Sequence, residues 1–221
     1  MAGDRARSGE PTQLSFLMAG IFARAILHRG DPTEAADRLM LDSVRPTEES
    51  QMVIPAFETE GLIRAASGDI EGLRRAVEQL LELIEGRGTS VWSRAFPELV
   101  RALLAAGERA TAERLAERRH ERHFRRDDLC ALSVDAMLAE DGGDVAGALD
   151  LYIDASTGWG AFGGRFEEAH ARLGAGRCRL ALGLDPDADL VAARSAFAGM
   201  GAVGFLAEAD RLLEAATAES G

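Results

Sequence analysis

A glycine followed by an acidic residue, with a small or apolar residue five positions after the glycine, returns four times along this chain. The copies are Gly30-Asp31 with Ala35, Gly68-Asp69 with Leu73, Gly107-Glu108 with Ala112 and Gly143-Asp144 with Ala148. A looser fifth copy follows Gly183, and the successive intervals are 38, 39, 36 and 40 residues. A glycine that ends one helix in the left-handed conformation, followed by an acid that caps the next, is the signature of a helical hairpin. Asp31-Pro32-Thr33-Glu34 adds proline at the first helical position and glutamate where a capping box requires it.

The flanking segments carry helical spacing. Leu14, Leu17, Met18, Ile21, Phe22 and Ala25 share one face before the first glycine, and Ile70, Leu73, Val77, Leu80, Leu81 and Ile84 share one after the second. Seven positions before the five glycines stand Ala23, Gly61, Val100, Ala136 and Gly176, mostly small, as close pairing of helices demands. The spacing predicts an all-α fold, a tetratricopeptide-like α-solenoid of about five hairpins. The hairpins fall near residues 13–45, 51–86, 89–122, 126–157 and 166–198, and a capping helix runs from about Phe205 to Ala216. Pro97 is placed to start or kink the first helix of the third hairpin. Residues 12–217 then form a single repeat domain, and residues 1–11 are expected to be disordered.

Composition removes several functions. All 25 basic residues are arginine, so the lysine of a phosphate-binding loop, of Schiff-base chemistry and of a kinase strand is missing. A net charge of −12 opposes nonspecific binding to nucleic acid or anionic membrane. No apolar run reaches membrane-spanning length. Leu14–Phe22 followed by Ala23-Arg24-Ala25 imitates a secretory leader, but Asp4, Glu10 and Pro11 spoil it and the run belongs to the repeat, so a cytoplasmic chain is expected. Cys130 and Cys178 read as buried small hydrophobes in a reducing compartment, with a disulfide or a metal pair as the alternative.

Gly158-Trp159-Gly160-Ala161-Phe162-Gly163 spells G-x-G-x-x-G, which binds a dinucleotide only between a strand and a helix. Val145, Ala148, Leu149, Tyr152 and Ile153 are spaced as a helix before it, and Phe166, Ala169, Leu173, Arg177 and Leu180 as a helix after it. The glycines are therefore expected to form the loop between two hairpins, and no cofactor is implied. Asp185, Asp187 and Asp189 begin like a calcium loop but lack its following glycine and its distal glutamate. They read as an acidic helix cap.

The segment from Ala136 to Leu213, with AEDGGDVAGALDLYIDAS, GWGAFGGRFEEAHARLGAGRCRLALG and ARSAFAGMGAVGFLAEADRLL, resembles the C-terminal helical repeat region of large actinobacterial signalling ATPases. These are the multidomain adenylate cyclases carrying an ATPase module and the LuxR-type ATP-dependent transcriptional activators. Trp159, Gly164, Arg165, Glu167 and Glu168 carry the resemblance, with Phe197-x-x-x-Gly201-Ala202 looking like the closing hairpin. The resemblance covers about the last third of the chain well and implies a regulatory tail; the cyclase, ATPase and DNA-binding modules have no counterpart here.

In tetratricopeptide register the first helix of each hairpin lines a groove. Its candidate partner-binding residues are Arg24, His28, Arg94, Arg101, His170 and Arg177, among Leu62 and Met137. Arginine beside apolar neighbours suits an acidic peptide. A second candidate patch is the ridge Arg114, Arg118, Arg122 and Arg126; residues 109–126 hold seven arginines and three glutamates, +4 in a chain of −12. A solvated ridge of ion pairs is the alternative account of that stretch. His120 and His123 could share a helical face, but no third metal ligand accompanies them. With no G-x-S-x-G and no spaced nucleophile set, the expected function is non-catalytic: a signalling interaction module that binds a protein partner, with an effector-sensing solenoid as the alternative.

Overall fold

A computed structural model of the chain describes residues 13–39, 50–85, 96–117 and 124–219. Among them are eleven helices and no strand, so the chain is all-α. They pair as α1 (Gln13–His28) with α2 (Pro32–Leu39), α3 (Ser50–Ala66) with α4 (Ile70–Glu85), α5 (Phe96–Ala105) with α6 (Arg109–Glu117), α7 (Arg125–Asp141) with α8 (Val145–Phe162), and α9 (Arg165–Ala181) with α10 (Asp187–Met200); α11 (Val203–Glu219) closes the chain. All five glycines of the recurring phrase have positive φ, from 68 to 90°, and each ends the first helix of its pair.

The acids that follow divide. Asp31, Asp69 and Asp144 accept the backbone N–H three residues on, at 2.8, 2.9 and 3.0 Å, as N-caps do. Glu108 does not. Its longer side chain takes Arg74 of α4 instead, at 2.6 and 3.2 Å, tying the second pair to the third. The acidic turn after Gly183 is also local: Asp185 accepts the N–H of Asp187 at 3.0 Å, where α10 begins.

First helices pack on first helices, α1 on α3, α3 on α5, α5 on α7, α7 on α9 and α9 on α11. The small positions permit this. A Cβ on Gly61 would stand 2.9 Å from Leu99 of α5, and one on Gly176 only 2.3 Å from Leu190 of α10. Ala23, Val100 and Ala136 are fully buried. Three apolar clusters run along the stack, the largest from Ile54 to Cys178.

Two expectations are corrected. The glycines of G-x-G-x-x-G are not all loop, because α8 continues to Phe162 and takes Gly158 and Gly160 into its last turns. Only Gly163, at φ 84°, and Gly164 form the joint. The reason is packing: a Cβ on Gly158 would meet Leu129 of α7 at 2.4 Å, so the glycine lets the two helices touch. The closing helix is longer than expected, from Val203 to Glu219, and begins after a further positive-φ glycine, Gly201. The third hairpin's start near residue 89 lies outside the described residues, which show Pro97 in the first turn of α5.

Candidate binding face

The row of first helices curls until its ends touch through side chains. His28 of α1 stacks on Phe166 of α9, with ring centroids 4.6 Å apart and planes 16° from parallel. It also meets Phe205 of α11 edge-on at 6.2 Å. His170 of α9 sits among Phe166, Phe197 and Phe205 at 4.6, 4.9 and 4.3 Å. Five of the six candidate partner-binding residues, Arg24, His28, Arg101, His170 and Arg177, are thereby brought to one inner face; Arg94 lies outside the described residues.

These side chains are largely enclosed, and each charged one has a carboxylate. Arg24 pairs with Glu98 of α5, whose other oxygen receives the His28 Nε2 at 2.8 Å. Arg101 reaches Glu167 at 3.5 Å. Arg177 grips Glu140 of α7 with Nε and Nη2 at 2.8 and 2.9 Å and Glu208 of α11 with Nη1 at 2.9 Å. Tyr152 of α8 donates to Glu140 at 2.6 Å. Such bidentate, charge-assisted contacts fix geometry as well as charge. Leu62 and Met137, expected beside the arginines, are buried in the core.

Burial sets the protonation states. Desolvation, with help from Arg24 and Arg101, lowers His28 to about 4. The same cause, again with neighbouring arginines, holds His170 well below the ordinary histidine range. Both rings are neutral at pH 7. Desolvation draws Glu140 toward its neutral form, but the Arg177 contacts overcome it and its carboxyl titrates low. Arg101 is held below the usual guanidinium range by desolvation, only partly offset by Glu167. Its Nη1, and His170 Nε2, have no hydrogen-bond partner among the described residues. Both residues border a space of about 10 Å³ with Tyr152 and Arg177, about the room one water needs.

Two larger recesses border the first-helix row. One, of about 810 Å³, lies where α7 and α9 begin. Its walls are Phe124, Trp159, Phe162 and Phe166, its rim is Arg24, Arg125, Arg126 and Arg165, and Glu167 is its one carboxylate among the described residues. The other, of about 510 Å³, lies where α1, α3 and α5 end, with Leu27, Leu62, Ala102 and Phe205 around Arg101, Glu98 and Glu208. Arg24 contributes to the first and its partner Glu98 to the second.

At the arginine-rimmed recess, Phe124 is 70% and Phe162 47% exposed. Trp159 is buried and pinned by its Nε1 donating to Ser133 at 2.9 Å. Gly164, the N-cap of α9, lies against that indole; a Cβ there would fall 2.5 Å from the Trp159 ring. A side-chain cap is thus sterically excluded. The side chains of Arg125 and Arg165 make no ion pair or hydrogen bond among the described residues. Cys130, on the recess floor, is pushed up to about 12 by burial, and Cys178 to about 11. Both are free thiols, too weakly acidic for thiolate chemistry at neutral pH.

The second candidate patch is divided. Arg114 bridges to Glu78 of α4 at 2.5 and 2.9 Å, and Arg126 stands 3.6 Å from Asp127 while lining the recess. Arg118 and Arg122 lie outside the described residues, as do His120 and His123. Among the described residues no group of three metal-binding side chains occurs and no helix is long and apolar enough to cross a membrane.

Sequence reasoning missed the glutamates of the inner face, Glu98, Glu140, Glu167 and Glu208. Glu98 stands three residues before Arg101 and Glu167 three before His170, so both share the arginine and histidine face of their helices. That spacing was the available signal. It also missed Arg125 and Arg165, because the aromatic recess that gives them meaning draws on four helices. No protein-family model, no curated protein and no solved structure matches the chain.

Proposed function

We propose that the chain is a tetratricopeptide-like α-solenoid that serves as a non-catalytic interaction module in bacterial signalling, capturing an acidic segment of a protein partner. The observation that carries this reading is the recess at the start of α7 and α9, where the Arg125 and Arg165 side chains have no partner among the described residues and stand beside exposed aromatic rings. The inner arginines do not offer the same opportunity, since each already has a glutamate. Binding is therefore placed at the mouth of the curled row and not along its interior. The scaffold is preorganised by packing and ion pairs, so little ordering cost accompanies capture.

The test is fluorescence anisotropy of a labelled, glutamate- and aspartate-rich peptide titrated with the full chain. Arg125→Glu/Arg165→Glu is expected to weaken binding about tenfold or more, while Arg75→Glu, on the outside of α4, leaves it unchanged. Equal binding by wild type and the folded double variant would remove the recess from the reading.

An effector-sensing module is the second reading, favoured by the second recess, whose volume of about 510 Å³ is that of a small-molecule pocket. Ala102→Phe would fill it; an unchanged thermal shift with every metabolite that stabilises the wild type would discard this reading.

A further inference from the structure

Resting on the proposed capture of an acidic segment, we infer that the segment also carries an aromatic side chain beside its carboxylates, which inserts against Phe124 and Phe162. Three features of the recess converge on this chemistry. The first is unspent aromatic surface: Phe124 and Phe162 present 70% and 47% of their area to solvent at one recess. Trp159 stiffens that wall, meeting Phe162 edge-on at 5.7 Å while its own nitrogen is held by Ser133. Rigid rings of this kind reward a third ring, which can stack or meet them edge-on.

The second is charge placed against its own local interest. Arg125 and Arg165 are the first residues of α7 and α9, where the helix dipole disfavours a cation. An incoming carboxylate reverses the sign of that term, and it does so at a rim whose cations outnumber its lone carboxylate, in a chain that is otherwise strongly acidic. The third is a preference for negative charge from α9 itself. Gly164 supplies no side-chain cap, and the amides of Phe166 and Glu167 have no acceptor among the described residues. Aromatic wall and anion-seeking groups thus lie within one turn of each other. A ligand meeting both must carry its carboxylate within a residue or two of its ring, which an acidic peptide with a single Phe, Tyr or Trp does.

The experiment compares short fluorescein-labelled acidic peptides with a central Phe, with Ala in its place, and with the acids replaced by their amides, each titrated with the full chain. The Phe peptide is expected to bind about tenfold tighter than the Ala peptide. Phe124→Ala/Phe162→Ala should erase that difference, and Phe124→Ser alone, at a largely exposed position, should reduce it without loss of helicity. Arg125→Glu/Arg165→Glu should weaken both acidic peptides alike. Equal affinity of the Phe and Ala peptides, or a preference that survives removal of both phenylalanines, would overturn the aromatic anchor and leave the acidic reading standing. Displacement of the peptide by benzoate or AMP at equal concentration would show a small anion as the occupant and also overturn it. If no acidic peptide binds, this inference and the reading beneath it both fail.

Discussion

Acid should loosen this protein at a pH where its carboxylates are still ionised, because two neutral histidines join the first helix to the last pairs. His28 is lowered from 6.5 to about 4 by burial, and burial among aromatic rings also holds His170 well below its ordinary value. A histidine whose folded pKa is depressed binds its proton more readily when unfolded, so stability is fully present above 6.5 and falls as pH drops toward the folded value. For His28 alone, lowering pH from 8 to 5 costs about 2 kcal/mol by proton linkage. His170, lowered by the same cause, adds to the loss in the same direction. The His28 contribution alone, about 2 kcal/mol, is a sizeable part of a typical domain stability of about 5–15 kcal/mol. Urea denaturation followed by circular dichroism at pH 8, 7, 6 and 5 reads it directly. His170→Phe, which places a ring among rings, should flatten the slope. A stability that stays level or rises between pH 7 and 5, or a slope untouched by His170→Phe, would show that these rings are not neutral and buried in solution.

The remaining expectations use the same denaturation assay. Glu140→Gln should destabilise by about 3 kcal/mol, because it leaves Arg177 enclosed with Glu208 alone; a loss below about 1 kcal/mol would mean the pair is solvated. Gly174→Ala should cost about 1–3 kcal/mol by overpacking, since its Cβ would stand 2.4 Å from the buried Tyr152 ring, and a neutral result would refute that contact. Gly163 and Gly199 make a paired contrast, because neither has a neighbour within 4 Å of an added Cβ and only Gly163 has positive φ. Gly163→Ala should therefore destabilise by about 1–2 kcal/mol, whereas Gly199→Ala, in helix α10, should stabilise by up to about 1 kcal/mol; the same sign for both would contradict the assigned backbone.

What could be read from the residues was local. Glycine at the left-handed end of a helix and aspartate three residues before a free amide act over one turn, so Gly30, Gly68 and Gly143 with their aspartates announced three hairpin turns outright. Glu108 misled because an acid one methylene longer reaches a neighbouring helix as easily as its own backbone, and sequence cannot tell the two apart. Gly163 and Gly201 lie outside the recurring phrase because the residues after them, Gly164 and Ala202, are not acids; the first was legible only as a loop between helical runs and the second only through the family resemblance. The inner-face residues Arg24, His28, Arg101, His170 and Arg177 were found through register alone, since register says which way a side chain points from its own helix.

Curvature is the quantity that register omits, and it decides what this face can do. The turn from one first helix to the next depends on how closely each pair packs, which here rests on contacts such as Gly61 against Leu99 and Gly158 against Leu129. Small differences at each step add over five pairs, and only their sum brings His28 within stacking distance of Phe166. Had the row curled less, Arg24, Arg101 and Arg177 would line an open groove for an extended acidic peptide. As it is, that interior is occupied by Glu98, Glu167, Glu140 and the aromatic cluster, and the surface with charge to spare moves to the mouth. The same accumulation implies that the recess and the closure are coupled: Arg24 and Phe166 belong to both, since each lines the recess and each, through Glu98 or through His28, holds α1 in place.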